Sequence, residues 1–493
     1  MGRVLLALCR IRPFGRKAFW LLLFVFCGTG PDRVFVNAWS VETRSTAPRS
    51  PGLSPKFPRG SDFLRELAEE LNHRGLDYAE KGLYDEAIEN YKQAIKLKPD
   101  DPVLYNNRGF AHYRKGLHDL AIEDFNAALR LNPNFSLAYK NRGIVLTDKG
   151  QYALAIADFD AALRFQPDDP LAFMNRAFAH YKKGFHDQAI EDCNAALRLN
   201  PRLAQAYFNR GLAYAEKHLY DLALEDHNRA VRLQPEMAVF YFSRALVFER
   251  KAEYDRAIKD YDRAIELKPD YADAYNNRGY IYYTKALYDW AIEDFTIAVH
   301  LNPNAPAPYN NRGVAYAGKG LFERAIADYD KAAALDPKLT ASYTNRANAN
   351  FYLGDFKAAA RDYERGLRTD PSDIVSAIWL YLARERSGKD GAKELAGFAS
   401  NLGLERWPGP IVSLFLGKAA PEQILKHIEE GDRRVKRERE CEAFFYIGQY
   451  QLLRGKREEA LRLFRKALET EQNNFIEFTG SKVELNRLVT NRQ

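Results

Sequence analysis

The feature that most constrains the fold of this chain is a period of 34 residues, which runs without insertion or deletion from about residue 68 to residue 373. A proline returns at this interval at Pro99, Pro133, Pro167, Pro201, Pro235, Pro269, Pro303, Pro337 and Pro371. Periods of about 20–50 residues are typical of solenoids, in which each unit buries its apolar face against its neighbours. Because most of the 493 residues build such a surface, binding is a better first hypothesis than catalysis.

Each unit has the pattern of two amphipathic helices, because apolar residues recur at three- and four-residue spacing in both halves. In the second copy a small residue, Gly109, is followed twelve residues later by Ala121, and this spacing returns in every copy. A mid-unit glycine such as Gly116 predicts a left-handed helix C-cap, and the proline predicts the end of the second helix. The chain is therefore predicted to be an all-α solenoid of antiparallel helix pairs.

These positions resemble the signature of the tetratricopeptide repeat (TPR), which combines bulky, small and aromatic residues with two alanines and a proline. In the second copy they are Tyr105, Gly109, His112, Ala121, Phe125, Ala128 and Pro133. The resemblance covers nine tandem repeats within residues 61–373 and implies a right-handed superhelix. A degenerate helical module is expected over residues 374–493, with a further TPR-like unit at about 441–474.

An arginine stands directly before the small residue in all nine copies, from Arg74 to Arg346. An aspartate follows sixteen residues later in eight copies, as Asp124 follows Arg108, whereas the first copy has Asn90. The two residues could form ion pairs within a unit or between units, or the arginines could form a stripe that binds anions. Matched opposite charges at a fixed spacing favour the ion pairs.

The residue before that arginine is an asparagine in seven copies. These asparagines are Asn107, Asn141, Asn175, Asn209, Asn277, Asn311 and Asn345. Amides both donate and accept hydrogen bonds, so a row of them could bind the backbone of an extended peptide. Such a row resembles the asparagine ladders in the grooves of some other TPR superhelices. An equally weighted interpretation is that the asparagines cap or bridge adjacent helices.

Aromatic residues share the helix face of these asparagines, which in the TPR family looks into the concave groove. The aromatic candidates are Phe110, Tyr113, Phe178, Tyr181, Phe208, Phe242, Tyr280 and Tyr283. A concavity lined by aromatic side chains suits extended peptide segments or a partner helix. Ordinary packing between repeats is the alternative interpretation of these aromatics.

The N-terminus predicts export. Basic residues precede a continuous apolar run from Ala18 to Cys27, and a small-residue cleavage site ends at Ala38. This is the order of a secretory signal peptide, and the run is too short for a transmembrane helix. We therefore expect a signal peptide over 1–38, a flexible linker over 39–60, and a periplasmic or secreted protein. An outer-membrane lipoprotein, lipidated at Cys27, is the alternative.

The charge balance does not favour a nucleic-acid partner. The net charge is +7, but residues 1–60 hold ten basic and two acidic residues, which leaves about −1 for residues 61–493. No motif of a nucleophile elbow, phosphate loop or zinc protease is present in the sequence, and no cysteine spacing suits a metal. The scattered histidines occupy equivalent repeat positions, which favours structural roles. We expect no enzymatic activity, no cofactor and no metal site.

Beyond Pro371 the period fails, and the sequence resembles the C-terminal half of the NlpI family of bacterial outer-membrane lipoproteins. The matching residues include Trp379–Ala383, Trp407, Ile411, Val412, Glu442, Phe445–Gly448, Asn474, Phe475, Glu477 and Glu484. The resemblance implies an envelope adaptor that presents cell-wall hydrolases or other substrates to a protease, and a possible homodimer. The favoured hypothesis is a non-enzymatic scaffold that binds peptide segments or proteins in the groove. The alternative is a spacer whose C-terminal module makes the contacts.

Overall fold

The computed structural model describes residues 60–400, 404, 406–429, 433–472 and 475–490. The predicted signal peptide, Cys27 and nearly all of the predicted linker lie outside these residues, as does Asn474. The described part of the chain contains α-helices and one 3₁₀ turn, and no strand is found in it. The all-α prediction is confirmed. The helices fall into two compact units that divide after Pro269.

The N-terminal unit consists of six helix pairs, with one pair for each 34-residue period. Its helices are α1 (Gly60–Glu80), α2 (Tyr84–Leu97), α3 (Pro102–Arg114), α4 (His118–Leu131), α5 (Ser136–Asp148), α6 (Tyr152–Phe165), α7 (Pro170–Lys182), α8 (His186–Leu199), α9 (Ala204–Glu216), α10 (Tyr220–Leu233), α11 (Ala238–Arg250) and α12 (Tyr254–Leu267). Odd-numbered helices are therefore the first helices of their repeats, and even-numbered helices are the second.

The residues predicted to end the two helices of each repeat do so in the structure. Gly116 has a φ of 79°, so it occupies the left-handed region that favours glycine. The second helix ends two residues before the proline of each repeat, as α2 ends at Leu97 before Pro99. In three successive repeats a non-glycine residue occupies the left-handed position: His218, Ala252 and Ala286.

The small residue of each first helix allows its partner helix to approach closely. A Cβ atom added to Gly109 would lie 2.9 Å from a ring carbon of Phe125, and one added to Gly143 would lie 2.8 Å from a ring carbon of Phe159. Such distances are too short for a carbon contact, so the aromatic ring of the second helix packs directly on the glycine backbone. This explains the sixteen-residue spacing between the small residue and the aromatic residue.

First helices of successive repeats also contact one another, as α1 contacts α3, α3 contacts α5, and α7 contacts α9. Because each first helix touches both of its first-helix neighbours, these helices form the inner face of the unit. Ten of the predicted candidate residues belong to these first helices, and the other five, Asn277, Tyr280, Tyr283, Asn311 and Asn345, belong to first helices of the C-terminal unit. The inner face is therefore the surface on which a binding site has to be sought.

The C-terminal unit continues the repeats and then becomes irregular. Its helices are α13 (Ala272–Thr284), α14 (Tyr288–Leu301), α15 (Pro306–Gly318), α16 (Phe322–Leu335), α17 (Thr340–Leu353), α18 (Phe356–Thr369), α19 (Ile374–Arg386), α20 (Ala392–Ala399), α21 (Gly409–Phe415), α22 (Pro421–Lys426), α23 (Arg433–Leu453), α24 (Arg457–Glu469) and α25 (Ile476–Thr490), and the 3₁₀ turn is His427–Glu429. Helices α23 and α24 repeat the TPR geometry, since a Cβ on Gly448 would lie 2.6 Å from a ring carbon of Phe464.

An aromatic core joins the last regular repeat to the irregular helices. The fully buried Trp379 lies edge-on to Phe351, with ring centroids 4.9 Å apart, and stacks on Phe445 at 5.1 Å. Phe351 belongs to the ninth repeat, whereas Phe445 belongs to the TPR-like pair α23–α24. One apolar cluster therefore crosses residue 373, where the period ends.

Candidate functional site

In at least six repeats the arginine forms a clamp with two hydrogen-bonded partners. Arg142 donates from Nε to Asp158 Oδ2 at 2.7 Å and from Nη2 to Asp158 Oδ1 at 2.6 Å. Its remaining Nη1 donates to Asn126 Oδ1, in the preceding repeat, at 2.5 Å. The clamp therefore holds together the two helices of its own repeat and the second helix of the repeat before it.

The same ion pair recurs in every repeat that has the aspartate. The pairs are Arg108–Asp124, Arg142–Asp158, Arg176–Asp192, Arg210–Asp226, Arg244–Asp260, Arg278–Asp294, Arg312–Asp328 and Arg346–Asp362. Burial raises the pKa of Asp158, although the hydrogen bonds from Arg142 act in the opposite direction. The guanidinium groups are thus engaged within the fold, and the predicted structural ion pairs are confirmed.

The predicted asparagines connect first helices of neighbouring repeats. Asn141 Nδ2 donates to Asn106 Oδ1 at 3.0 Å, across 35 residues of sequence. Asn107 donates in the same way to Asn72 at 3.0 Å, and Asn209 reaches the main-chain oxygen of Met174 at 3.4 Å. The bridging interpretation therefore describes these contacts in the N-terminal unit.

The C-terminal unit shows the same bridge in the eighth and ninth repeats. Asn311 donates to Asn276 at 3.0 Å, and Asn345 donates to Asn310 at 3.1 Å. Asn277 accepts a hydrogen bond from its sequence neighbour Asn276 at 3.1 Å. Asn310 and Asn345 are buried, whereas Asn276, Asn277 and Asn311 are half-buried.

Two asparagines of the row in the N-terminal unit, Asn141 and Asn175, are buried. Asn141 is 1 % exposed, and its Oδ1 is buried without a hydrogen-bond partner in the described structure. A role of the amides in binding a peptide backbone stays a prediction, and their first task is to hold the first helices in register.

The candidate aromatics divide into two groups by burial. Tyr113 is buried and donates to Asp148 Oδ2 at 2.9 Å, and Phe208 is buried beside Phe240 and His227. Packing between repeats accounts for these two. The other six are half-buried: Phe110, Phe178, Tyr181, Phe242, Tyr280 and Tyr283.

Cationic side chains lie against some of the half-buried rings of the N-terminal unit. The guanidinium of Arg114 lies 5.7 Å from the ring centroid of Phe110, and Nζ of Lys182 lies 5.8 Å from that of Phe178. At these distances a cation is attracted to the ring face. Phe178 and Tyr181 also contact each other, with centroids 6.4 Å apart. The inner face therefore presents rings with fixed positions.

Two buried polar pairs on this unit were not anticipated from the sequence. Lys140 Nζ lies 2.6 Å from Asp169 Oδ2, and both side chains are buried. Tyr261 donates to Glu249 at 2.9 Å, and burial raises the pKa of Glu249 to about 7. Lys140 and Glu249 are the charged residues at first-helix positions that carry uncharged side chains in the other repeats, and this difference could have signalled them.

The described residues show no group of three or more His, Cys, Asp and Glu side chains that could hold a metal. Cys193 and Cys441 are free, buried thiols, and burial raises the pKa of each. Cys193 occupies the position of the ring that packs on the small residue in other repeats. Within the described part of the chain no helix is both long and apolar enough to span a bilayer.

The helix pairs, the clamps and the inner row of amides define a solenoid of helical repeats. Models of the TPR repeat match residues 75–116, 143–184, 181–217 and 253–285, and models of the tetratricopeptide repeat match residues 102–135, 204–237, 306–339 and 340–373. Together these ranges cover more than half of the chain. The chain therefore belongs to the tetratricopeptide-repeat family.

Solved structures of TPR proteins are similar to parts of this chain. A TPR protein of Parabacteroides merdae is 21 % identical over 51 % of this chain and 99 % of its own, with a TM-score of 0.43. YrrB, described as a TPR protein with an unusual peptide-binding site, is 23 % identical over 37 % and 95 %, with a TM-score of 0.32. Yeast Tom70 is 17 % identical over 87 % and 96 %, with a TM-score of 0.36.

Proposed function

We propose that this TPR protein is a non-enzymatic scaffold of the bacterial envelope that binds extended peptide segments of partner proteins on the inner face of its N-terminal unit. The observation that carries the proposal is the set of half-buried rings on first helices, namely Phe110, Phe178, Tyr181 and Phe242. Aromatic side chains that are rigid and only partly covered are typical anchors of protein interfaces. The membership in the TPR family supports a role in protein interaction.

In this proposal the rings supply the contact area and the asparagines position the helices that carry them. The bridge from Asn141 to Asn106 fixes α5 against α3, and the clamp of Arg142 fixes α5 against α4 and α6. A binding face that is already ordered loses less conformational entropy when a ligand binds. The buried hydrogen bonds therefore contribute to affinity indirectly.

The proposal can be tested by site-specific photo-cross-linking in the full-length protein within cells. The photoreactive amino acid p-benzoylphenylalanine replaces Phe178 on the inner face or, as a matched control, Phe185, an exposed phenylalanine that precedes α8. We expect partner polypeptides to cross-link at position 178 and much less at position 185. Equal cross-linking at the two positions, or none at 178, would contradict an inner binding face.

The location in the envelope is supported by the basic, apolar and small-residue order of residues 1–38. Cleavage after Ala38 would release the mature protein into the periplasm, whereas lipidation at Cys27 would anchor it. Cell fractionation with mass spectrometry of the N-terminal peptide distinguishes these outcomes. An intact Met1–Ala38 peptide in the cytoplasmic fraction would exclude export.

The alternative places the partner contacts on the NlpI-like C-terminal module. Many of the residues that carry that resemblance are buried, among them Trp379, Ile411, Val412 and Phe445. These residues form part of the core of the module, so they do not identify a surface that a partner could contact. We therefore prefer the inner face of the N-terminal unit, and keep protease or hydrolase recruitment, with a possible homodimer, as the alternative.

A further inference from the structure

A cavity of about 80 Å³ opens within the C-terminal unit, between the first helices of repeats seven to nine and the start of α25. Its walls include the rings of Tyr283, Tyr288, Tyr329 and Tyr352. The far wall is formed by α25, which is held in place by a hydrogen bond from the Tyr352 hydroxyl to the main-chain oxygen of Ile476 at 2.8 Å. The cavity therefore lies on the inner face of this unit.

The cavity arises because the eighth repeat carries small side chains where its neighbours carry large ones. Ala317 stands at the position of Tyr283 in the seventh repeat and Phe351 in the ninth, and Gly318 stands at the position of Thr284 in the seventh repeat and Tyr352 in the ninth. A Cβ added to Gly318 would lie 2.8 Å from a ring carbon of Tyr288, so this glycine is required for the ring to line the cavity. The gap is thus encoded in the sequence of one repeat.

The lining combines apolar surface with hydrogen-bond donors and contains no charged side chain. Asn348 is 8 % exposed, and its Oδ1 accepts from Tyr363 at 2.5 Å, whereas its Nδ2 makes no hydrogen bond to any described residue. The hydroxyl of Tyr329 likewise makes no hydrogen bond within the described structure, and burial keeps its pKa well above its usual value, so it remains a donor. Both residues line the cavity, so their donors are available there to an oxygen acceptor of a ligand.

These features define the chemistry of the occupant. The volume is roughly half of the ~150 Å³ of an apolar cavity that accepts benzene, so a side chain of three or four carbons fits. Tyr352 already recognises a main-chain carbonyl on this face, and the unpaired donors suit a second carbonyl oxygen. An anionic ligand has no cationic partner in the lining. We propose that this cavity is an anchor pocket for one uncharged aliphatic side chain of a peptide, with a carbonyl oxygen of that peptide at Asn348 and Tyr329.

The inference rests on the proposed peptide-binding function, but it concerns a different face and can fail separately. The probe is N-acetyl-L-leucine N-methylamide, which carries one aliphatic side chain between two amides, and N-acetylglycine N-methylamide is the matched probe without the side chain. Binding to the full-length protein is measured by saturation-transfer NMR. We expect clear transfer to the leucine methyl groups and at least tenfold weaker transfer to the glycine probe.

Two variants locate the bound probe. Ala317→Leu fills the cavity and should abolish the transfer, whereas Ala215→Leu, at the equivalent position of the fifth repeat, should leave it unchanged. Tyr329→Phe keeps the ring and removes a donor, and should weaken binding of the leucine probe several-fold even if Ala317→Leu fails to fold. Equal transfer to both probes, or undiminished transfer in Ala317→Leu or Tyr329→Phe, would overturn the pocket. If position 178 does not cross-link but the leucine probe still binds, the proposed binding face of the N-terminal unit is wrong and the proposed pocket of the C-terminal unit stands.

Discussion

Alanine holds a left-handed backbone at two of the mid-unit turns. Ala252 and Ala286 each have a φ of 58°, whereas Gly82, Gly116 and Gly150 occupy the equivalent position in earlier repeats. An L-residue in this region is strained by contact of its Cβ with the backbone, and glycine avoids the contact. These turns are therefore local weak points of the array.

At the residue scale we predict that Ala252→Gly stabilises the protein by up to about 1 kcal/mol, since the relief of strain exceeds the added entropy of the unfolded chain. The measurement is the thermal unfolding midpoint of the two proteins. The reverse change, Gly116→Ala, is the control and should lower the midpoint. A lower midpoint for Ala252→Gly would show that the alanine is not strained.

Glu249 gives a prediction for the effect of pH. Burial raises the pKa of its carboxyl from 4.5 to about 7, with Tyr261 acting in the opposite direction through its hydrogen bond. The folded state therefore binds this proton more tightly than the unfolded state, so the contribution to stability is complete below pH 4.5 and is lost as the pH rises through 7. Glu249→Gln should be more stabilising at pH 8 than at pH 5, as measured by urea unfolding. An equal effect at both pH values would contradict the raised pKa.

At the scale of elements, the sequence predicted the helix pairs and the ion pairs between arginine and aspartate, because both follow from fixed spacings, but it left open whether the ion pairs lie within a unit or between units. It did not predict the hydrogen bond that arginines such as Arg142 and Arg176 donate to the preceding repeat. The partner in the preceding repeat is Asn126 for Arg142 but Asp160 for Arg176. Because this repeat position does not carry the same charge in every copy, the sequence pattern did not indicate the contact. The bridge from Asn141 to Asn106 was one of two open interpretations, because spacing alone cannot show what an amide contacts.

The clamp between Arg142 and Asp158 leads to the third prediction. Asp158→Ala should destabilise the protein by on the order of 3 kcal/mol, because it leaves a largely buried guanidinium without its carboxylate. The double variant Arg142→Leu with Asp158→Leu should cost less. Asp119→Ala, which removes an exposed partner of Lys149, is the control and should change the stability little, because an exposed ion pair is screened by solvent. Urea unfolding measures all three, and equal costs for Asp158→Ala and Asp119→Ala would contradict a structural clamp.

At the scale of the whole molecule, the sequence located the end of the period but not the role of the last helix. Arg487 donates to the main-chain oxygen of Tyr352 at 2.9 Å and pairs with the buried Glu484. Arg487 and Tyr352 lie 135 positions apart in the sequence, and no periodicity connects them. Contacts between a regular repeat and an irregular helix depend on how the intervening chain folds, which a local pattern does not encode.

The fourth prediction concerns this contact. Arg487→Met should release α25 from α17, and amide hydrogen exchange over Ile476–Thr490 should become at least several-fold faster while exchange in the N-terminal unit stays unchanged. Arg462→Met, which removes an exposed ion pair with Glu459, is the control and should leave α25 protected. Unchanged exchange in Arg487→Met would show that apolar packing alone holds the helix.

The arginine clamp also bears on how such a chain can change length in evolution. Arg142 and Arg176 each find one partner sixteen residues downstream and another sixteen residues upstream, in the preceding repeat. A tandem duplication of a whole 34-residue segment copies the arginine together with both partner positions. A duplicated repeat would therefore carry matching hydrogen-bond partners toward both of its neighbours. A partial duplication would separate an arginine from one of its two partners.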